Sequence, residues 1–272
     1  MIVFLAVTEG AGAAYIDGAV DMNIYLADQG GPTAAYISKA PGELISHANL
    51  LQSFFYADKT TESIFIPLSK RFILDSGAFT FMTSRKGAAI DWIEYAERYA
   101  DFVKKNPKIE GFFELDLDSI LGYDKVLDLR RLIEARSGRR CIPVWHRSRG
   151  KQEFIEMCEA YDRVAVGGIV TKEIQSQEYP IFKWLIDTAH EHGAKIHGLG
   201  FTNLKLLPRY RFDSVDSSSW TSGSRFGNIH RFNGRTMTVT KVQPGYRVKP
   251  YETSVNNFSE WLKFSEYAEA AL

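Results

Sequence analysis

The chain is poor in cysteine, has no long apolar run and carries no excess of either charge. Only Cys141 and Cys158 occur among its 272 residues, too few for a disulfide framework or a four-cysteine zinc site. Neither has a metal-type partner close in sequence, so both are expected to be buried structural thiols, with no metal and no cofactor bound. No stretch approaches the roughly 20 apolar residues of a membrane span, and the apolar start Met1 to Val7 is short and lacks a basic lead-in. A cytosolic protein without a membrane partner is the expectation. The formal net charge of +0 argues against bulk attraction to nucleic acid.

What is present is an ordinary globular composition, 45% hydrophobic and 24% charged, sized for one barrel-like domain over residues 1–272. Charge is unevenly spread. From Lys205 to Lys249 the basic residues Lys205, Arg209, Arg211, Arg225, Arg231, Arg235, Lys241, Arg247 and Lys249 face only Asp213 and Asp216 as acids. A local basic surface therefore survives the neutral total.

Short apolar runs alternate with amphipathic stretches, the signature of βαβ units and a mainly parallel sheet. Strands are predicted at residues 23–27, 72–75, 112–116, 142–146, 164–168, 196–200 and 212–216, with 2–7 a further candidate. Helices are predicted at 90–103, where Ile93, Ala96, Tyr99, Ala100 and Val103 share a face, at 123–135, and at 255–270. Polar residues sit at the C-terminal ends of nearly all the strands, which favours a (β/α)8 TIM-type barrel over a doubly wound sheet. Beyond the last strand, Asn233-Gly234 between two alternating runs predicts a hairpin with a two-residue type I′ turn, within a basic segment at about 225–249.

Acidic residues recur where apolar runs stop. The segments are Leu74-Asp75-Ser76-Gly77-Ala78-Phe79, Phe113-Glu114-Leu115-Asp116-Leu117-Asp118 and Phe212-Asp213-Ser214-Val215-Asp216. Carboxylates converging from separate strand ends suit a carboxylate-based catalyst. For Asp118, capping of the following helix is the better expectation.

With these strand ends in place, the motifs resemble the tRNA-guanine transglycosylase superfamily, and within it the phage and bacterial DpdA-like enzymes that put 7-deazaguanine bases into DNA. Asp75-Ser76-Gly77-Ala78-Phe79 resembles the family's Asp-Ser-Gly-Gly-Phe, and Asp216-Ser217-Ser218-Ser219-Trp220 resembles its Asp-Ser-Ala-Ser-Tyr. Leu115-Asp116-Leu117, Val144-Trp145-His146, Gly167-Gly168 to Glu173, and His197-Gly198-Leu199-Gly200 are similar to the family's base-binding segments. The resemblance implies Asp75 as general acid/base and Asp216 as nucleophile. It implies a base pocket from Ser76, Phe79, Asp116, His146, Gly167, Gly168, His197 and Gly198, with Phe79 stacking on the base, His146 replacing a base-reading glutamine, and the Gly167-Gly168 amides holding the base's exocyclic oxygen. The family's zinc motif is missing, so a basic hairpin stands where a tRNA-type zinc subdomain would be. DNA and a free 7-deazaguanine base are then the expected partners, with a homodimer or an accessory DNA-modification role left open.

Base exchange at a nucleoside needs a nucleophile at C1′ and an acid for the departing purine, which two carboxylates supply. Asp213 rivals Asp216, but three residues along a strand put them on opposite faces. Arg225, Arg231, Arg235, Lys241 and Arg247 are expected phosphate contacts. The alternatives are a tRNA-acting relative, a glycosidase- or nucleosidase-type barrel enzyme, and a non-catalytic nucleic-acid-binding relative.

Overall fold

The structure, a computed structural model, describes residues 22–27, 35–78, 80, 90–243 and 247–272. Eight parallel strands form one sheet: β1 (Asn23–Ala27), β2 (Asn49–Ser53), β3 (Arg71–Asp75), β4 (Gly111–Phe112), β5 (Val144–Trp145), β6 (Arg163–Val166), β7 (Lys195–Gly198) and β8 (Ser214–Ser217). Their order, β4-β3-β2-β1-β8-β7-β6-β5, leaves β4 and β5 at the two ends. A bridge joins those ends: Ile142 N donates to Phe112 O at 2.7 Å, and Glu114 N to Ile142 O at 3.1 Å. The sheet is thus curled in the manner of a TIM-type α/β fold.

The strand that patterning missed is β2, Asn-Leu-Leu-Gln-Ser, whose two leucines are flanked by polar residues. Asn49 and Gln52 are nevertheless buried, because β2 lies between β1 and β3. The 2–7 candidate lies outside the described residues. The last strand begins at Ser214 rather than Phe212, whose ring packs against Phe182 and Phe201.

Period-two alternation divides the core. Tyr25, Ala27, Leu51, Ile73, Phe113, Ile142, Val144 and Ala165 form the inner cluster, while their neighbours Ile24, Leu26, Leu50, Phe72, Leu74 and Val164 join the outer cluster with residues of the helices. Those helices are α1 (Trp92–Lys105), α2 (Tyr123–Ser137), α3 (Gly150–Ala160), α4 (Ile181–Glu191) and α5 (Pro250–Ala271). α1 starts where the Asp91 carboxylate accepts from Ile93 N and Glu94 N, both at 3.0 Å, and ends on Lys104 and Lys105, which suit the negative end of its dipole. Its buried face is Tyr95, Ala96, Tyr99, Ala100 and Val103; Ile93, placed on that face by periodicity, is 49% exposed in the first turn. No helix among the described residues is long and apolar enough to cross a membrane.

One charged cluster is buried beside the bridge between β4 and β5. Glu114, fully buried, accepts from Arg130 Nε at 2.7 Å, from Arg149 Nη1 at 2.9 Å and from Val144 N at 2.6 Å. Arg149 in turn grips both oxygens of Asp118 at 2.8 and 2.7 Å, so Asp118 is an ion-pair partner and not a helix cap. Removing one member of such a network strands the others without water. Glu114→Gln is expected to cost about 3–5 kcal/mol in urea unfolding; a loss below about 1 kcal/mol would show that the guanidinium groups find other partners.

The hairpin consists of β9 (Asn228–Phe232) and β10 (Met237–Lys241), antiparallel, with Met237 opposite Phe232. Its loop is therefore residues 233–236 and not the two-residue turn predicted. Asn233 Oδ1 accepts from Arg235 N at 3.1 Å and Thr236 N at 2.9 Å, and Gly234 takes φ +90°. An asparagine closing its own turn in this way outcompetes the tighter alternative. α5 anchors the hairpin through Asn257, which accepts from His230 N at 2.9 Å and donates to Asn228 O at 2.9 Å and Trp220 O at 3.2 Å. Trp220 is itself core, its indole donating to Ala27 O at 2.7 Å.

Candidate active site

The C-terminal ends of β1, β2, β3 and β8 open into a cavity of about 950 Å³ lined by Asp75, Asp216, Ala27, Leu51, Gly168 and Ser218 among others, with Thr236 and Met237 of the hairpin on it. Asp75 ends β3 and Asp216 lies within β8, so two strands stand between them.

Asp75 Oδ2 accepts from Gly77 N at 2.9 Å. Gly77 has φ +84°, and a Cβ there would lie 2.9 Å from Phe55 Cβ and Ser53 Oγ, so the turn needs glycine. Burial raises the Asp75 carboxyl; the Gly77 N–H works against that, and the charges of Asp216 and Asp116 add to it, bringing it to about 6 from the ordinary 3.8. Asp216 uses one oxygen for the protein: Oδ1 accepts from Gly200 N at 2.7 Å and pairs with His197 Nε2 at 3.2 Å. Its Oδ2 accepts no hydrogen bond among the described residues. A carboxyl group pushed up to about 6 thus shares a cavity with a second carboxyl group that has a spare oxygen.

Next to Asp75 lies a third carboxylate, Asp116, held by His146. The ring's Nε2 meets Asp116 Oδ1 at 2.5 Å and its Nδ1 meets Glu173 Oε2 at 2.8 Å. Burial disfavours the charged ring, but the bonds to Asp116 and then Glu173 outweigh it and lift His146 to about 10. The same bond to His146 lowers the Glu173 carboxyl. Two glycines make the arrangement possible. A Cβ on Gly167 would sit 2.7 Å from His146 Cε1 and Nε2, and one on Gly168, at φ +79°, would sit 2.9 Å from Glu173 Oε2. Gly167→Ala is accordingly expected to destabilise by about 1–3 kcal/mol; unchanged thermal unfolding would mean that the ring has room to move.

The expected site residues occupy different places in the fold. Asp75, Asp216 and Gly168 line the cavity, and Asp116, His146 and His197 contact one another or its carboxylates. Ser76 is buried beneath the turn, its carbonyl accepting from Tyr95 Oη at 2.7 Å. The Gly167 amide donates to Trp145 O at 2.9 Å and is not free to hold a base; only Gly168 of the pair is on the cavity. Gly198 faces Phe201 and Phe212 in the outer core. Phe79 lies outside the described residues. His197 is buried, with Nδ1 on Ser214 Oγ at 2.8 Å, and serves as a support for Asp216. Asp213 is at the opposite end of β8, where it takes His190 Nε2 at 2.9 Å and Ile196 N at 2.8 Å and lines a separate cavity of about 300 Å³ at the N-terminal mouth.

Arg225, Arg231, Arg235, Lys241 and Arg247 are all exposed. Strand pairing divides the hairpin cations: Arg231 pairs with Thr238 on one face, Lys241 pairs with Asn228 on the other, and Arg235 is in the loop beside the cavity. Glu173, Glu114, Arg130 and Arg149 were missed as a group by sequence reasoning, since their partners come from helices and connections remote in the chain. Asp116, Asp118 and His146 bring ligand-type atoms within 4.8 Å of one another. Arg149 already occupies Asp118, and both nitrogens of His146 are taken by carboxylates. That donor set suits an ion-pair network better than a cation.

No protein-family model matches the chain, and no curated protein matches it in sequence. Among solved structures, a proposed fructose-1,6-biphosphate aldolase from Coccidioides immitis superposes with a TM-score of 0.54 at 12% identity, over 90% of this chain and 88% of that one. A second aldolase, QR15, gives a TM-score of 0.44 at 13% identity over 75% of this chain and 93% of its own. The first likeness shows the barrel-type fold; the second is too weak to argue from.

Proposed function

We propose that the protein is a transglycosylase that exchanges guanine in DNA for a 7-deazaguanine base. The observation that carries this reading is that Asp75 and Asp216 line one cavity, with the hairpin on it at Thr236 and Met237. In the proposed reaction a free oxygen of Asp216 bonds to C1′ as the C1′–N9 bond breaks, and the proton of Asp75 passes to the departing purine. The replacement base then returns a proton to Asp75, bonds C1′ through its own ring nitrogen and releases Asp216. Atoms and charges balance without a redox partner, as in double-displacement glycosyl transfer. An Asp75 carboxyl pushed up to about 6 suits a group that must give and then take a proton.

Nucleoside mass spectrometry of DNA from cells expressing the protein and supplied with 7-deazaguanine bases tests the reading. A 7-deazaguanine deoxynucleoside that disappears in an Asp216→Asn strain is the expected result. Its absence from DNA together with its presence in tRNA would move the substrate to RNA; absence from both would sink the reading.

The hairpin has its own expected result. Replacing Arg231, Arg235 and Lys241 together by Ala should weaken binding to different DNA sequences about equally and flatten the log–log salt dependence by up to about 0.9 per lost phosphate contact. Free-base binding should not change. An unaltered salt slope would return these side chains to a merely solvated surface and favour a small-substrate barrel enzyme.

A further inference from the structure

We infer that Glu173 and His146 are positioning residues that together fix Asp116 as an anionic hydrogen-bond acceptor for the N–H donors of a ligand's edge, rather than His146 reading the ligand itself. The inference rests on the base-exchange reading above. Carboxylates accept hydrogen bonds and do not donate them when ionised, so a ring between Asp116 Oδ1 at 2.5 Å and Glu173 Oε2 at 2.8 Å must donate from both nitrogens. No ring nitrogen remains for a ligand. Glu173 is fixed from behind, since its other oxygen accepts from Ser148 N at 3.3 Å. Gly167 and Gly168, by the clearances above, carry no side chain where a Cβ would run into the ring or the Glu173 carboxylate.

At the far end of this chain of contacts, Asp116 Oδ2 accepts no hydrogen bond among the described residues, and the Asp116 charge reaches Asp75. An ionised acceptor here selects an edge with N–H groups, such as the ring N–H and exocyclic amine of guanine-type bases, and leaves an edge of acceptors unpaired. The charged groups facing His146 are Asp116 and Glu173, with Asp118 close by in the grip of Arg149, so its surroundings favour the doubly protonated ring. Removing the Glu173 charge leaves a ring that loses a proton near neutrality, and with it the firm hold on Asp116.

The test combines nitrogen NMR of the imidazole with calorimetric binding of free guanine to the whole chain. In the parent at pH 8 both His146 nitrogens should be protonated. In Glu173→Gln one should be deprotonated at pH 8, and guanine affinity should fall about tenfold at pH 8 but recover most of that at pH 6, while Glu173→Asp restores part of the loss. A neutral His146 in the parent at pH 8, or an equal loss of guanine affinity at both pH values, would overturn the inference, since a purely structural defect does not depend on pH in this way. A parent that binds no guanine while His146 remains doubly protonated would overturn the exchange reading and leave the clamp supported.

Discussion

Asp216→Asn is expected to lower kcat/KM for base exchange by about 10⁴-fold or more while leaving the unfolding curve and DNA affinity close to those of the parent. The amide matches the carboxylate in shape. Its oxygen can still accept from Gly200 N, the bond that now orients Asp216 at 2.7 Å, but it offers no oxygen able to attack C1′. Asp213→Asn should behave in the opposite way. Asp213 is occupied by His190 and Ile196 N at the other mouth of the barrel, so turnover should persist and stability should drop by about 1 kcal/mol. Single-turnover assays of both variants separate the two outcomes. A live Asp216→Asn enzyme beside a dead Asp213→Asn enzyme would mean that the chemistry is not at the C-terminal mouth.

Asp75→Asn should yield a protein that is inert and yet more stable than the parent at pH 8. The folded state raises Asp75 from 3.8 to about 6, so it binds this proton more tightly than the unfolded chain does. Stability is therefore favoured where Asp75 is protonated and declines as pH rises from about 4 through about 6, above which the ionised group is a standing cost. At 1.36 kcal/mol per pKa unit the shift corresponds to about 3 kcal/mol at most, reduced to about 1–2 kcal/mol by water at the open mouth. Asparagine keeps an acceptor for Gly77 N and removes the charge. Urea unfolding at pH 4.5 and pH 8 should show the variant gaining only at the higher pH. Equal stability at pH 8, or retained turnover, would remove Asp75 from the acid/base role.

The same raised group predicts the direction of the pH profile. Protonation of the departing purine should slow as pH rises through about 6. Asp216→Asn removes one of the negative charges that raise Asp75, so its carboxyl should titrate lower in that variant, which NMR can follow even though turnover is lost.

Much of the site was legible before the fold was known, because strand ends leave a strong local trace. An apolar run that stops at an aspartate places Asp75 at the end of β3, whereas Asp116 lies four residues beyond β4, which ends at Phe112 and not at 116. Parity along a strand separates Asp216 from Asp213 even though the boundary of β8 was predicted two residues early, since a shift of the boundary does not change which residues share a face. Patterning failed where burial came from neighbours. β2 has two leucines among polar residues, and its place between β1 and β3 makes it a strand. The Asn233-Gly234 turn failed for another reason, the competition between a tight turn and an asparagine side chain that bonds two amides.

By itself, then, the sequence determined the alternation of strands and helices, the acidic strand ends and the basic segment after the last strand, all of which depend on residues within a few positions of one another. Only the tertiary structure decided what those residues do together. His146 is a clamp because Asp116 and Glu173 arrive from two other connections at 2.5 and 2.8 Å. Asp75 is pushed up to about 6 because burial and the charges of Asp216 and Asp116 act on it at once. Arg231 and Lys241 fall on opposite faces because β9 and β10 pair with Met237 opposite Phe232. Interactions of this kind depend on distance in space between groups remote in the chain, and a one-dimensional pattern carries no measure of that distance.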